Sequence, residues 1–241
     1  MDEDADTDAD AGDREGAMNQ LSQAFAFLAD PANWDGAGGI TQRTLEHLMY
    51  TGLAVAVACL IAVPLGLWVG HTRRAADSVV AAAGALRALP SLGLLTWLTI
   101  EMSIGVRMPL VPATVVLVIL AVPPLLAGTV SGMVAVPRAV TEAARATGYS
   151  ERQILTGVEL PLAASTMVGG LRSCVVQVLA TTTVVAYIGL SGLGRYLIDG
   201  LALRDYPQML AGALLVTALA LIVDLVLAGL QRTLKPQGSP A

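Results

Sequence analysis

Charge is what this sequence has least of. Only 14% of its 241 residues are Asp, Glu, Lys or Arg, against about a quarter in soluble domains. Aromatics are scarce too, at 4%, while 55% of the chain is hydrophobic and mean hydropathy reaches +0.67. That balance argues against a soluble globular domain and for a polytopic membrane protein. The two cysteines, Cys59 and Cys174, fall inside apolar runs, where they read as small hydrophobes rather than a disulfide or a metal site. The two histidines, His47 and His71, stand at the ends of apolar runs, and no pair of carboxylates lies within one. A membrane-embedded hydrolase needs such groups, so that remote alternative finds no support: no catalytic residue and no metal ligand is nominated. G-x-x-x-x-G-K-[ST] is also missing, so this chain is not expected to cradle nucleotide phosphates or to bind a cofactor. The first residues are acidic and the first long apolar run begins near Leu48, which is unlike a secretory signal peptide.

What is present is a series of long apolar runs. Five are long enough to cross a bilayer, at about 48–70, 77–104, 110–134, 163–188 and 207–231. Pro90 is expected to kink or split the second, and Pro64 and Pro123-Pro124 to mark bends in the first and third. The expected fold is therefore all-α, with about five transmembrane helices. The polar remainder divides the chain into an acidic tail over 1–17, read as disordered, a better ordered segment over 18–47, a membrane domain over 48–231 and a tail over 232–241. Asp4, Asp6, Asp8 and Asp10 echo a calcium loop, but Ala9 stands where such a loop needs glycine.

Residues 1–46 hold eleven acids against Arg14 and Arg43, a net charge of −9, whereas the remaining 195 residues are at net +4. Arg73, Arg74, Arg138, Arg145, Arg152, Arg232 and Lys235 share one side of the five-span scheme. Arg14, Arg43, Arg107, Arg195 and Arg204 share the other. The bias places the loop 135–161 and the C-terminus in the cytoplasm, with the N-terminus outside.

That loop contains "TEAARATGYSERQILTGVELPLA". Pro137 suits a first helical turn, and Gly148 a left-handed helix end. Ser150 to Gln153 reads as a capping box, with Tyr149 and Ile154 as a hydrophobic staple. Two short helices with a bend are predicted, the second ending near Leu160 because Pro161 disfavours helix before it. An amphipathic loop resting on the bilayer is one reading. A rigid knob for a cytoplasmic partner is the other.

Glu142-Ala143-Ala144, then Gly148, Val158 and Leu160-Pro161 resemble the EAA signature of bacterial ABC-importer permeases, with Val158 in place of its isoleucine. "LRALPSLGLL", "AVPPLLAGTVSG" and "IGLSGLGRYLIDGLALRDYPQMLAGALL" are similar to the osmoprotectant branch, which imports glycine betaine, carnitine, choline or proline. The resemblance implies a type I ABC-importer fold with 135–161 as coupling helices. It implies cytoplasmic ABC ATPase subunits that use ATP and Mg, a second permease subunit (the same chain or a paralogue), and an extracytoplasmic substrate-binding protein. It places the chain in the bacterial plasma (inner) membrane, with no nucleic-acid partner. An amino-acid permease such as the methionine type shares the EAA segment and is the alternative.

Ionisable residues inside spans are functional candidates by default. Arg87, Arg172 and Asp224 are three, and an ion pair between Asp224 and one of the arginines is expected. Thr181, Thr182, Thr183 and Tyr187 offer hydroxyls to a pathway, although threonines also bond to their own helix. Gly192 and Gly194 mark a glycine-rich turn, similar to a G-x-G-G-L-G segment of the family except for Ser191, that suits a gate-lining loop. A pathway for small, mostly net-neutral osmoprotectants is expected to carry a few hydroxyls and no strong fixed charge.

Overall fold

A computed structural model describes residue 16 and residues 18–234, so the acidic tail and the last seven residues lie outside the described part. Among the described residues the chain forms helices joined by short turns. α1 spans 18–29. A 3₁₀ turn, Pro31–Asn33, follows it, with the Asp30 carboxylate accepting from the Ala32 N–H. α2, Ile40–Thr72, has 33 residues, about 50 Å at 1.5 Å per residue, and so outreaches a hydrocarbon core of about 30 Å. The apolar run 48–70 is its middle; "TLEHLMY", read as a lead-in, belongs to the same helix.

α3, Ala76–Ala85, and α4, Ser91–Glu101, form the second crossing. They meet at a bend of 80°. Pro90 is the cause. Its ring disfavours helix in the preceding residue, and Leu89 is extended, at φ −68° and ψ 128°.

α5, Leu110–Ala135, runs unbroken through Pro123 and Pro124. A proline inside a helix leaves the carbonyl four residues earlier without its donor. For Pro124 that carbonyl is Leu120 O, and the Gln177 side-chain amide of a neighbouring helix donates to it at 3.3 Å. Next to it, Cys174 Sγ donates to Ala121 O at 3.4 Å. A neighbouring helix thus supplies what lipid cannot, and the expected bend does not become a break.

α6, Arg138–Ala146, and α7, Glu151–Ile154, follow, then α8, Leu160–Thr182. The predicted stop near Leu160 does not occur. α7 passes into α8 through a π-helical turn, Leu155–Glu159, in which the Leu160 N–H bonds to Leu155 O. The wider turn shifts the hydrogen-bond register just before Pro161, which then occupies the first turn of α8, where a missing N–H matters least. A 3₁₀ segment, Thr183–Ile188, ends this helix. α9, Gly194–Leu203, was not anticipated; α10, Tyr206–Thr233, is the last crossing.

Side-chain neighbours give the directions. Cβ atoms added at Gly66 and Gly70 of α2 would meet Thr129 and Met133 of α5, and Arg73 bonds to Val136 O. The two helices therefore run parallel, and α3 with α4 must carry the chain back between them. α8 is antiparallel to α5, with Gly170 on Gly128 and Ala163 O beside Gly132. α10 is antiparallel to α8, since Gln231 bonds to Ser165 O near one end and Asp224 to Arg172 further along. Five crossings result. α5 is the central helix, buried along most of its length from Pro112 to Met133, whereas α10 is peripheral, with Ala211 and Gly212 its buried residues.

At the start of α2, Arg43 is tied to α9, its guanidinium 4.4 Å from the Tyr196 ring centre, and Phe27 of α1 packs edge-on against the same ring. Tyr196 in turn donates to Gly38 O at 3.2 Å. An odd number of crossings puts residues 18–39 and the end of α10 at opposite faces. With Cys59 and Cys174 replaced, Asp35→Cys and Thr233→Cys are expected to react with a membrane-impermeant maleimide from opposite sides. Labelling of both from one side would refute five crossings.

Candidate functional site

The segment between α5 and α8 is built from two helix ends facing each other. α6 closes with a Schellman motif: Tyr149 N–H bonds to Ala144 O and Gly148 N–H to Arg145 O, both at 3.1 Å. Gly148 sits at φ +91° with no atom within 4 Å of where a Cβ would be. Its requirement is conformational rather than spatial. Ser150 opens α7 with both halves of a capping box: Gln153 N–H to Ser150 Oγ, and Ser150 N–H to Gln153 Oε1. Across the bend Arg145 grips Glu151 with two bonds, 2.7 and 2.9 Å. These bonds to Glu151, and the carboxylate charge behind them, raise the pKa of the Arg145 guanidinium above its ordinary value. Glu142, Ala143 and Gly148 are exposed, Ala144, Val158 and Leu160 half-buried, and Pro161 exposed. The result is a compact, solvent-facing knob with apolar Val140 and Tyr149 also on its surface.

Its base is fastened to α2. Glu159 is 3% exposed, and one of its oxygens lies 2.5 Å from His71 Nδ1. His71 Nε2 lies 3.3 Å from Glu151. Both ring nitrogens therefore face carboxylate oxygens, and His71 links α2 to both ends of the α7 turn. Two residues on, the Arg73 guanidinium donates to Val136 O, just ahead of α6. Ile154 of α7 is fully buried. Sequence reasoning saw His71 only as the end of a run and passed over Glu159. The available signal was a carboxylate between two apolar residues beside a proline; its partner, 88 positions away, was not readable.

Of the two arginines offered to Asp224, Arg172 takes it. Its Nε bonds to Oδ1, and Nη2 to Oδ2 at 2.6 Å, a bidentate arrangement. Arg87 makes no hydrogen bond or ion pair among the described residues. It lines a cavity of about 580 Å³ with Gly128, Ser131, Thr166, Ser173 and Gln231. A second cavity, about 530 Å³, holds Arg172 and Asp224 and shares Gly169, Ser173 and Gln231 with the first. Together they form one polar groove along α8, in the half of the bundle nearer the knob. Its serines and glutamine are scattered over α5, α8 and α10, so no local pattern announced them.

Thr181, Thr182, Thr183, Tyr187, Gly192 and Gly194 lie at the other end of α8. Each threonine donates at 2.8 Å to a carbonyl of its own helix, and Thr182 also meets Thr51 at 3.1 Å. Tyr187 is exposed. Gly192, at φ +99°, packs on buried His47, whose Nε2 bonds to Leu179 O at 3.0 Å. A Cβ on Gly194 would overlap the Thr183 carbonyl. Ser191, the departure from the glycine pattern, donates to the Glu46 carboxylate, so the turn is stitched to the start of α2.

Residues 62–236 match the family described as "Binding-protein-dependent transport system inner membrane component". The chain is 33% identical over 205 residues to the osmoprotectant import permease OsmW of Salmonella typhimurium, covering 85% of this chain and 95% of that one. It is 32% identical over 201 residues to the choline transport permease OpuBB of Bacillus subtilis, covering 83% and 91%. It is also 32% identical over 218 residues to the glycine betaine/carnitine/choline permease OpuCB of the same organism, covering 90% and 96%. Among solved structures, a chain of the MetNI methionine ABC transporter superposes with a TM-score of 0.68 at 21% identity, over 82% of this chain and 96% of that one. At that identity the likeness speaks for the fold.

The Arg172–Asp224 geometry makes a direct prediction. Asp224→Asn is expected to lower the thermal midpoint of the detergent-solubilised chain, because it leaves a guanidinium without its anion. Adding Arg172→Gln should restore most of the loss, whereas adding Arg87→Gln should restore none. Recovery with Arg87→Gln instead would overturn the assignment of the pair.

Proposed function

The chain belongs to the family of binding-protein-dependent transport system inner membrane components, and from that premise we propose a specific task for it. It is a multi-pass permease of an ABC importer, and its cargo is a small osmoprotectant such as glycine betaine, carnitine, choline or proline. The observation that carries the cargo is the set of osmoprotectant and choline permeases to which nearly the whole membrane domain is similar. A methionine permease shares the fold, but the similarity there rests on fold alone.

The knob is the docking point for a cytoplasmic ATPase subunit. Arg73, Arg74, Arg138, Arg145, Arg152 and Arg232 gather at its end of the bundle, the arrangement expected of a cytoplasmic face. The opposite end, with α1 and α9, then meets the substrate-binding protein outside. ATP and Mg stay on the ATPase, and a second permease subunit completes the pathway.

The chain's geometry explains how force would travel. A push on α6 meets a bend whose backbone is fixed by the Schellman motif and the capping box, with the Arg145–Glu151 bonds shaping it from outside. It passes along one continuous helix from Glu151 to Ile188 and, through Glu159 and His71, into α2. ATP-driven closure on the cytoplasmic side thus reorients α8 and α2 together, alternating access to the groove between them and their neighbours.

Two outcomes test this reading. Deleting the gene should abolish uptake of radiolabelled glycine betaine or choline at high external osmolarity, and leave methionine uptake intact; loss of methionine uptake alone would overturn the cargo. Gly148→Val forces a β-branched residue into a left-handed conformation, at a cost of about 1–3 kcal/mol, and should misalign α6 with α7. Recovery of the ATPase subunit in co-purification is expected to fall several-fold while the permease still inserts. Wild-type recovery would remove the docking role.

A further inference from the structure

Inside a membrane a guanidinium is costly and ordinarily finds an anion. Arg172 has found Asp224. Arg87, exposed on the 3₁₀ turn Leu86–Ala88 just before the Pro90 bend, has not, although it lines the open mouth of the same groove. The nearest acids along its own helices do not reach it. Asp77 lies ten residues back, about 15 Å by helix rise, beside a different cavity with Val80 and Val134. Glu101 lies beyond the bend, at the far end of α4.

The rest of the lining sharpens the chemistry. Ser131, Ser165, Thr166, Ser173 and Gln231 are neutral hydrogen-bonding groups, while Pro124, Ala127, Gly128, Gly169 and Gly170 leave smooth apolar wall. No aromatic side chain lines either half of the groove. A quaternary ammonium is ordinarily held by aromatic faces, so this groove has nothing built for the cationic end of an osmoprotectant. It does have a planar fork of N–H donors, which matches a carboxylate in geometry and charge.

We infer that Arg87 is a transient contact for the carboxylate of a zwitterionic cargo, and that this permease favours carboxylate-bearing osmoprotectants over purely cationic ones. The inference rests on the osmoprotectant reading above and narrows it. In glycine betaine the carboxylate meets Arg87 while the methyls lie on the glycine and proline wall. Choline has no carboxylate and brings a second positive charge toward the first.

The test uses the assembled transporter, with its own ATPase and binding protein, in proteoliposomes, comparing initial rates for labelled glycine betaine and choline. The binding protein is unchanged between samples, so any shift in the betaine-to-choline ratio originates in the permease. Arg87→Gln is expected to lower that ratio about tenfold, in line with loss of one charge-assisted hydrogen bond. Arg87→Met, which keeps the stem without the charge, should match it if either variant assembles poorly. Arg87→Lys should hold the ratio within about threefold of wild type. An unchanged ratio, or equal loss for both compounds without rescue by lysine, overturns the inference and leaves the permease reading standing. Wild-type import of choline but not glycine betaine overturns it too. Import of neither compound defeats the cargo reading itself, and the inference falls with it.

Discussion

Gly128 and Gly170 let α5 and α8 touch backbone to backbone, and the rest of the bundle is arranged around that contact. A Cβ on Gly170 would stand 2.6 Å from Gly128 Cα, a separation no side chain tolerates. Between lipid-embedded helices there is little hydrophobic drive to associate, so close van der Waals packing of small residues has to hold them together. The approach also brings Gln177 and Cys174 within reach of the carbonyls near Pro123 and Pro124. Pro124 is sustainable in α5 because α8 is close enough to bond the carbonyl it frees. The same two helices carry the knob between them, so its position is tied to a seam where their backbones touch.

The second fixed point is where the knob meets α2. A surface ion pair such as Arg145–Glu151 is screened and weak, and on its own would shape the bend without anchoring it. Glu159 differs because it is buried. A buried carboxylate has to be satisfied where it lies, and His71 satisfies it from α2. The knob is therefore soft to bend only where its φ values permit, at Gly148, and Gly148 is held by caps on both sides. Stiffness at this place follows from local rules of helix termination joined to one long-range polar contact.

That division also explains what the sequence disclosed. The five crossings were legible because apolar length is a local property, and the split at Pro90 because proline acts on its immediate neighbour. Ser150, Gln153 and Gly148 announced both ends of the bend through capping chemistry confined to a few residues. The stop at Pro161 was misjudged by that same local rule. A π turn changes the register upstream, and nothing in the residue types distinguishes that solution from an ordinary end. α9 was missed because "GRYLIDGLAL" follows a glycine-rich turn and is too short and mixed to read as a span; its partners on α1 and α10 make it a helix. The choice between Arg172 and Arg87 for Asp224 lay equally beyond reach, since both fall inside apolar runs and only packing decided.

The unequal fate of those two arginines shapes the groove's electrostatics. Had Asp224 been absent, the two adjoining cavities would hold two uncompensated cations and repel any cargo bearing a positive group. Had Arg87 also been paired, the groove would offer hydroxyls and smooth wall with nothing to orient a dipolar molecule. One bidentate pair that cancels itself and one guanidinium left over give a single fixed charge in an otherwise neutral lining. Among the groove's lining residues Arg87 is the one charge without a partner. A passage has to attract its cargo enough to admit it and loosely enough to release it. A lone guanidinium, without an aromatic cage to grip the other end of the molecule, meets both demands. On the proposed reading it would turn a zwitterion carboxylate-first and retain it by only one end.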